Sequence, residues 1–473
     1  MGARESALRT QSLLRGYWVL IKKKNIPSTE APSLDRQLLR ARHKNYLSFG
    51  VKVPCGNGLR ILFLITLVDI VEDKGVKMLE YSKHFEAEPR EVAGNGKVFG
   101  HTNGLSWLPP SQSMAMKQPE RVPESHIKHH PMAAAAVADA DAEMEQQREG
   151  EEEEELGAIP MLDMAQLEAG GTSAEEFKRQ IARACKEWGF FQVVNHGVEQ
   201  TLIEDYMRLV RNFFSLSFEE KAEFVGSNFN APALYATRTN DWSDFLRLKC
   251  EPVTDPDISR WPEKPIGFRE TAAEYAKKVT AFARRLLAVL SENLGLRKEY
   301  LNEAFQAHAF TYINNNFYPV CPEPGLTLGL SGHSDPGGIT ILYQDDVGGL
   351  QAQKAGGPWV DITPTRNAFV VNLADQLQIL SNGIYRSGMH RVVVNSKQPR
   401  YSAAAIFSPD AAAKIAPAQE LLGNGLQARR YPEISFADYM VGYVTNGAYE
   451  KGFLNSLLLP NVPSHSTAED EYA

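Results

Sequence analysis

Gly332-His333-Ser334-Asp335-Pro336-Gly337-Gly338-Ile339-Thr340-Ile341-Leu342 is the stretch on which the reading of this chain turns. It sets an imidazole and a carboxylate two positions apart, followed by small residues and a β-branched apolar run. Side chains alternate faces along a strand, so residues i and i+2 point the same way. His333 and Asp335 can therefore reach one shared point. A nitrogen donor beside a carboxylate suits a divalent transition metal. Alone, His-x-Asp is a weak motif, and any further ligand has to come from elsewhere in the chain.

Downstream of His308 the pattern is one of short β-like segments divided by Gly, Pro and Asn. They fall at 309–313, 339–343, 349–353, 359–362, 368–372, 391–394 and 401–408. Many short strands with frequent turns predict a jelly-roll type of sandwich or barrel. Inside this region lies Met389-His390-Arg391-Val392, a histidine at the mouth of a strand, 57 residues on from His333. Several strands fit between the two, enough to bring both histidines together. A second histidine would complete the 2-His-1-carboxylate facial triad of non-haem Fe(II) oxygenases. Ten residues later, Arg400 and Ser402 share a strand face. A guanidinium fork with a neighbouring hydroxyl makes a receptor for a carboxylate; the plainer reading is a solvated arginine on a surface strand. Upstream, Asn316 and Tyr318 place an amide and a phenol on one face, both able to bond an acidic cosubstrate.

The region before the strands reads as helical. Phe177, Ile181, Ala184 and Cys185 recur at helical spacing behind a cap expected at Thr172 or Ser173. A buried strand follows at 189–194, then a helix carrying Ile203, Met207 and Val210. His196, at a strand-to-turn junction, reads as structural. Periodicity fades between Asn228 and Trp261, where Asp241-Trp242-Ser243-Asp244-Phe245 looks like a loop with aromatic anchors. The clearest helix runs from Phe268 to Leu294, with Tyr275, Val279, Phe282, Leu286 and Leu290 on one stripe and Gly295 as its stop. A last helix is expected at 436–444. The fold class is thus α+β: a double-stranded β-helix (jelly-roll) core supported by N-terminal helices, one of them long and amphipathic.

The first 115 residues differ from the rest. They begin basic, with Gly2 and Ser6 fitting the M-G-x-x-x-S myristoylation pattern and an acid-poor start loosely resembling a transit peptide. The plainer reading is an appended or misassigned extension without a fold of its own. An Ala/Asp alternation leading to Glu151–Glu155 reads as a solvated linker, because like charges repel and nothing apolar is there to bury. The expected organisation is an extension at 1–115, a disordered acidic linker at 116–157, a helical region at 158–307, the jelly roll at 308–409 and a C-terminal segment at 410–473. A formal charge of −8 argues against a nucleic-acid partner. Four scattered cysteines without a CxxC suggest reduced thiols and a cytoplasmic setting, with an organelle or membrane-associated location the alternative if the extension is real. No segment has the length of a membrane span, and a monomer is expected.

From Ile159 to Leu457 the chain resembles the plant-type 2-oxoglutarate/Fe(II)-dependent dioxygenases. The resemblance rests on Trp188-Gly189-Phe190-Phe191-Gln192-Val193-Val194-Asn195-His196-Gly197, Tyr318-Pro319-Val320-Cys321-Pro322, His333-x-Asp335, Gly348-Gly349-Leu350-Gln351, Leu380-Ser381-Asn382-Gly383, His390-Arg391-Val392 and Arg400-x-Ser402, in that order. It implies that His333, Asp335 and His390 bind Fe(II), and that Arg400 and Ser402 hold the distal carboxylate of 2-oxoglutarate. Tyr318 would help, and Asn316 would lie near the iron. It implies further that O2 is a cosubstrate, that ascorbate is supportive, and that a small organic metabolite or hormone is hydroxylated, desaturated or demethylated as succinate and CO2 form. The His-Ser-Asp-Pro-Gly-Gly form is most similar to the subgroup of jasmonate oxidases and phenolic or flavonoid hydroxylases. Two departures stand out: Asn314 replaces the basic residue that many relatives carry, and Ala233-Leu234-Tyr235-Ala236-Thr237 replaces a Gly-Tyr-Gly element. Phe317, Phe407, Trp242 and Tyr235 are the candidate walls of the substrate pocket, each of which could equally be ordinary packing. A metabolite-binding protein without catalysis is the alternative from another class. The intact ligand and clamp residues argue against it.

Overall fold

The computed structural model describes residues 119–128, 158–226, 228, 231–238, 240–250, 258–306, 309–354, 356–423, 428–446 and 451–460, with the backbone of four strands before residue 109. The chain divides into two units, 1–100 and 101–473. In the first, β1 (Ala41–His43), β2 (Tyr46–Cys55) and β3 (Leu59–Val68) form an antiparallel meander. The Ala- and Glu-rich run at 129–157 lies outside the described residues.

The second unit holds β4 (Trp107–Leu108), β5 (Met161–Asp163), β6 (Phe190–Val194), β7 (Ala233–Arg238), β8 (Asp244–Lys249), β9 (Phe310–Tyr318), β10 (Leu330–His333), β11 (Ile339–Gln344), β12 (Leu350–Gln353), β13 (Trp359–Asp361), β14 (Phe369–Leu373), β15 (Met389–Val392) and β16 (Arg400–Ser408). Nine of these make one sheet in the order β4-β7-β8-β9-β16-β11-β14-β6-β5; a smaller sheet runs β10-β15-β12-β13. All pairings are antiparallel except β5 with β6. The helical region and the jelly-roll region therefore share one sheet: β6, β7 and β8 come from the first and the middle strands from the second. The β region matches the expected segments to within a few residues. β4, β7, β8 and β10 are not among the expected segments, and the expected Asp241–Phe245 loop ends by entering β8.

Strict alternation gives the large sheet two different faces. One packs on α1 (Gly171–Glu187), α2 (Gln200–Phe214) and α3 (Phe268–Asn293). Ile313, Ile341, Val371, Ala405 and Phe407 from the sheet join Val210, Val279, Phe282, Leu286 and Leu290 from the helices in a single large core. Each such apolar side chain stabilises the fold by about 1.5–3 kcal/mol when fully buried. α1 begins at Gly171 behind Gly170, without the side-chain cap expected of Thr172 or Ser173. The opposite face looks toward the small sheet. Phe190, Tyr318 and Val370 there meet Leu350, Ala352, Val392 and Val394 in a second cluster. Two shorter helices matter for the site, α4 (Asp375–Leu380) and α5 (Phe436–Asn446).

Candidate active site

The gap between the two sheets is where the polar side chains converge. His333 ends β10, Asp335 follows in the turn, and His390 sits on β15 directly opposite His333. One ligand atom from each of the three lies within 4.8 Å of the others. Asp335 Oδ1 is 3.6 Å from His333 Nε2 and 3.9 Å from His390 Nε2. Both Nδ1 atoms are occupied by backbone carbonyls, Ser331 O at 2.8 Å and Gly388 O at 3.2 Å. Each ring is thereby fixed as a Nδ1–H donor with Nε2 free to bind a metal. Asp335 Oδ2 accepts from Thr340 Oγ1 at 2.5 Å and Asn372 Nδ2 at 2.9 Å, leaving Oδ1 turned to the histidines. Burial works against charge on Asp335, yet the facing imidazoles and the Thr340 hydroxyl hold its carboxyl well below the usual carboxylate range. Burial and the neighbouring His333 ring push His390 down to about 4, so it is neutral and ready to ligate. Two imidazoles presenting Nε2 and one carboxylate fit an Fe(II) ion.

The turn that carries Asp335 is braced from behind. Tyr443 on α5 donates to Ser334 O at 2.8 Å, and Asp375 N at the start of α4 donates to Asp335 O at 2.9 Å. On the far side, Phe190 of β6 sets its ring edge-on to His390, 5.5 Å between centroids.

Arg400 and Ser402 share the inner face of β16, opposite Tyr318 and Asn316 on β9. Arg400 is 2% exposed. Its Nη2 donates to Gln344 Oε1 at 2.9 Å and its Nη1 reaches Ser402 Oγ at 3.4 Å. The guanidinium lies over the Tyr318 ring, 4.9 Å from its centroid. Its Nε is buried without a hydrogen-bond partner among the described residues. A buried, only partly satisfied guanidinium beside a hydroxyl fits the carboxylate of a 2-oxo diacid. Asn316 completes the group by donating to Ser402 Oγ at 3.3 Å.

The expected pocket walls divide differently. Tyr235, Phe317 and Phe407 lie on the helix-facing side of the sheet and are corrected to packing residues. Phe317 stacks between Tyr401 and Phe214, Phe407 packs on Phe305 and Tyr235 on Phe213. Trp242 is on the barrel side, where its Nε1 donates to Pro319 O at 3.1 Å. The inner face at this mouth carries residues that the sequence reading passed over. Arg238 donates to Asn316 Oδ1 at 2.8 Å and Ser243 Oγ at 3.2 Å and lies 4.8 Å over Phe245. Arg247 donates to Asn314 Oδ1 at 2.9 Å and lies over Tyr312. The charge absent from position 314 is thus present one strand away. His196 is structural: its Nε2 meets Asn367 O and its Nδ1 accepts from Val198 N.

Comparison with known proteins matches this arrangement. Residues 309–409 match the 2OG-Fe(II) oxygenase superfamily, and residues 159–264 match the family described as non-haem dioxygenase in morphine synthesis N-terminal. "Jasmonate-induced oxygenase 1" of Arabidopsis thaliana is 40% identical over 311 residues, which are 64% of this chain and 76% of the relative. The chain belongs to the 2OG-Fe(II) oxygenase superfamily. A "Naringenin,2-oxoglutarate 3-dioxygenase" of Matthiola incana is also 40% identical, over 59% of this chain and 80% of the relative. Among solved structures, JOX2 in complex with 2OG, Fe, and JA superposes with a TM-score of 0.59 at 37% identity, covering 64% of this chain and 90% of that one. The rice dioxygenase for auxin oxidation gives 0.56 at 27% identity, over 64% of this chain and all of that one. The protein is an Fe(II)- and 2-oxoglutarate-dependent dioxygenase with a jelly-roll core, and among the described residues no helix is long and apolar enough to cross a membrane.

Proposed function

We propose that His333, Asp335 and His390 hold Fe(II), and that Arg400 and Ser402, with Tyr318 beneath the guanidinium, hold the distal carboxylate of 2-oxoglutarate. Asn316 bridges the clamp to the mouth of the barrel. The observation that carries this is the shared inner face: Tyr318, opposite Arg400, and Val392, two residues from His390, belong to the one buried cluster between the two sheets. Bound there, the metal and 2-oxoglutarate supply the O2-dependent oxidation of a substrate C–H bond, with succinate and CO2 as coproducts. The chain's own part is to keep His390 neutral, hold Asp335 ionised, fix both Nδ1 protons on backbone carbonyls and exclude water with the Phe190–Val392 cluster.

The substrate side is a small metabolite bearing an acidic group. Arg238, partly exposed and bonded only to neutral acceptors among the described residues, stands with Arg247 around Phe245 on the same inner face as Asn316. A cationic, aromatic mouth suits a hormone-like or phenolic acid. The acidic net charge disfavours a nucleic-acid substrate, and the chain acts as a monomer in the cytoplasm, with ascorbate in support. The catalytic unit takes in β4 at Trp107–Leu108, which pairs with β7, so the extension is confined to residues 1–100. Anaerobic addition of Fe(II) and 2-oxoglutarate gives a weak visible charge-transfer band, and His333→Ala removes it together with substrate-dependent succinate release. A well-folded, metal-loaded protein without that band would refute the assignment in favour of a non-catalytic binder.

A further inference from the structure

We propose that the segment 119–128 is a working part of the metal centre, and that Lys128 is a positioning residue for His333. The inference rests on the proposed role of His333 as an iron ligand.

The two ligand histidines are not equally supported. His390 lies on β15, which is hydrogen-bonded on both sides, to β10 and β12. His333 lies on β10, at the edge of the small sheet. There the pairing with β15 is irregular between Leu330 and His333, so the ladder does not fix the intervening Ser331 peptide. Yet that peptide sets the ring, because His333 Nδ1 bonds Ser331 O. What fixes Ser331 is Asp241. Its Oδ2 accepts from Ser331 N at 3.2 Å and its Oδ1 from Ser331 Oγ at 2.5 Å. Asp241 is 7% exposed, and a buried carboxylate needs a partner of opposite charge. Lys128 is that partner, with Nζ 2.9 Å from Asp241 Oδ1 and 3.0 Å from Ser331 Oγ.

Lys128 is delivered by a strap that the sequence places in a linker. Val122 N bonds Glu323 Oε2 at 2.8 Å, and Lys128 N bonds Leu326 O at 2.8 Å. Val122 and His126 are buried, and the His126 ring meets Trp242 edge-on at 6.2 Å. Trp242 N in turn bonds Leu328 O, two residues before β10. A cation some two hundred positions upstream thus orients an iron ligand through one carboxylate and one peptide.

The test uses the full chain as Lys128→Met, Lys128→Arg and the wild type, stripped of metal. Fe(II) affinity is measured anaerobically by calorimetry well below each unfolding midpoint, and the 2-oxoglutarate charge-transfer band is recorded. Loss of a group that orients a ligand typically weakens metal binding about 10–100-fold. Lys128→Met should fall in that range and shift the band, and Lys128→Arg should recover most of both. Unchanged affinity in folded Lys128→Met, or no recovery by arginine, overturns the proposal. Should the methionine variant not fold, Lys128→Gln, which keeps a donor and loses the charge, is read by the same criterion. A wild type that binds no Fe(II) would instead defeat the assignment of the triad.

Discussion

Replacing Arg400 with alanine isolates the cosubstrate clamp. Arg400 is buried, touches Gln344 and Ser402, and sits outside the His333–Asp335–His390 cluster, so the proposed iron ligands stay in place. One charge-assisted contact between a buried guanidinium and a carboxylate costs about 2–4 kcal/mol to lose. At about 1.4 kcal/mol per tenfold, this predicts a 2-oxoglutarate requirement raised roughly 30- to 700-fold. A second effect adds to it. Burial already raises the Asp345 pKa, and the Arg400 charge opposes that rise. Without the arginine, Asp345, which holds Tyr401 N at 2.6 Å, moves further toward the neutral form. Arg400→Lys keeps that charge but loses the fork, and should fall between alanine and wild type. Steady-state succinate formation across 2-oxoglutarate concentrations, with Fe(II) affinity measured separately, separates the terms. An unchanged requirement in the alanine variant, or a loss confined to Fe(II) binding, would refute the clamp.

Two further perturbations follow from the packing. Gly189 has φ +67, and a Cβ there would lie 2.3 Å from Arg386 O, so Gly189→Ala should lower the unfolding midpoint. The left-handed backbone alone costs about 1–2 kcal/mol, and β6 must also shift beside His390; an unchanged midpoint would sink this. Lys451 donates to Ser387 O, and burial depresses its pKa to about 8, below the unfolded value. The unfolded state therefore binds more protons between pH 8 and about 10.5, and stability from this group rises with pH across that window. Urea midpoints at pH 8 and 10 should show a smaller increase in Lys451→Met than in the wild type; equal increments would contradict the assignment.

The sequence carried the chemistry further than the walls around it. That His333, Asp335 and His390 come together was legible because few residue types suit a metal and their spacing left room for strands between them. The shared face of Arg400, Ser402, Asn316 and Tyr318 was legible because period-two alternation fixes which residues point the same way. The same rule, applied consistently, excludes the pocket residues. If Asn316 and Tyr318 point inward, Phe317 between them points to the helices, and odd-numbered Phe407 points away from Arg400 and Ser402. Tyr235 was harder, because β7 and β8 carry no clear alternation and their parity is set from outside, by β8 pairing with β9 and β7 with β8. Arg238 and Arg247 were missed for that reason. The strap at 119–128 gave no periodic signal, since its anchoring bonds run to main-chain and carboxylate oxygens far away in sequence.

The order of strands in the large sheet also bears on how the chain is made. β6 has β5 on one edge but precedes β14, its partner on the other, by roughly 175 residues, and synthesis at about 5–20 residues per second leaves that second edge uncovered for on the order of ten seconds or more. β7 and β8 likewise emerge before β9 is there to receive them. The early half of the enzyme therefore spends its first moments with apolar strand edges uncovered, and its yield depends on what shields them until the late strands arrive.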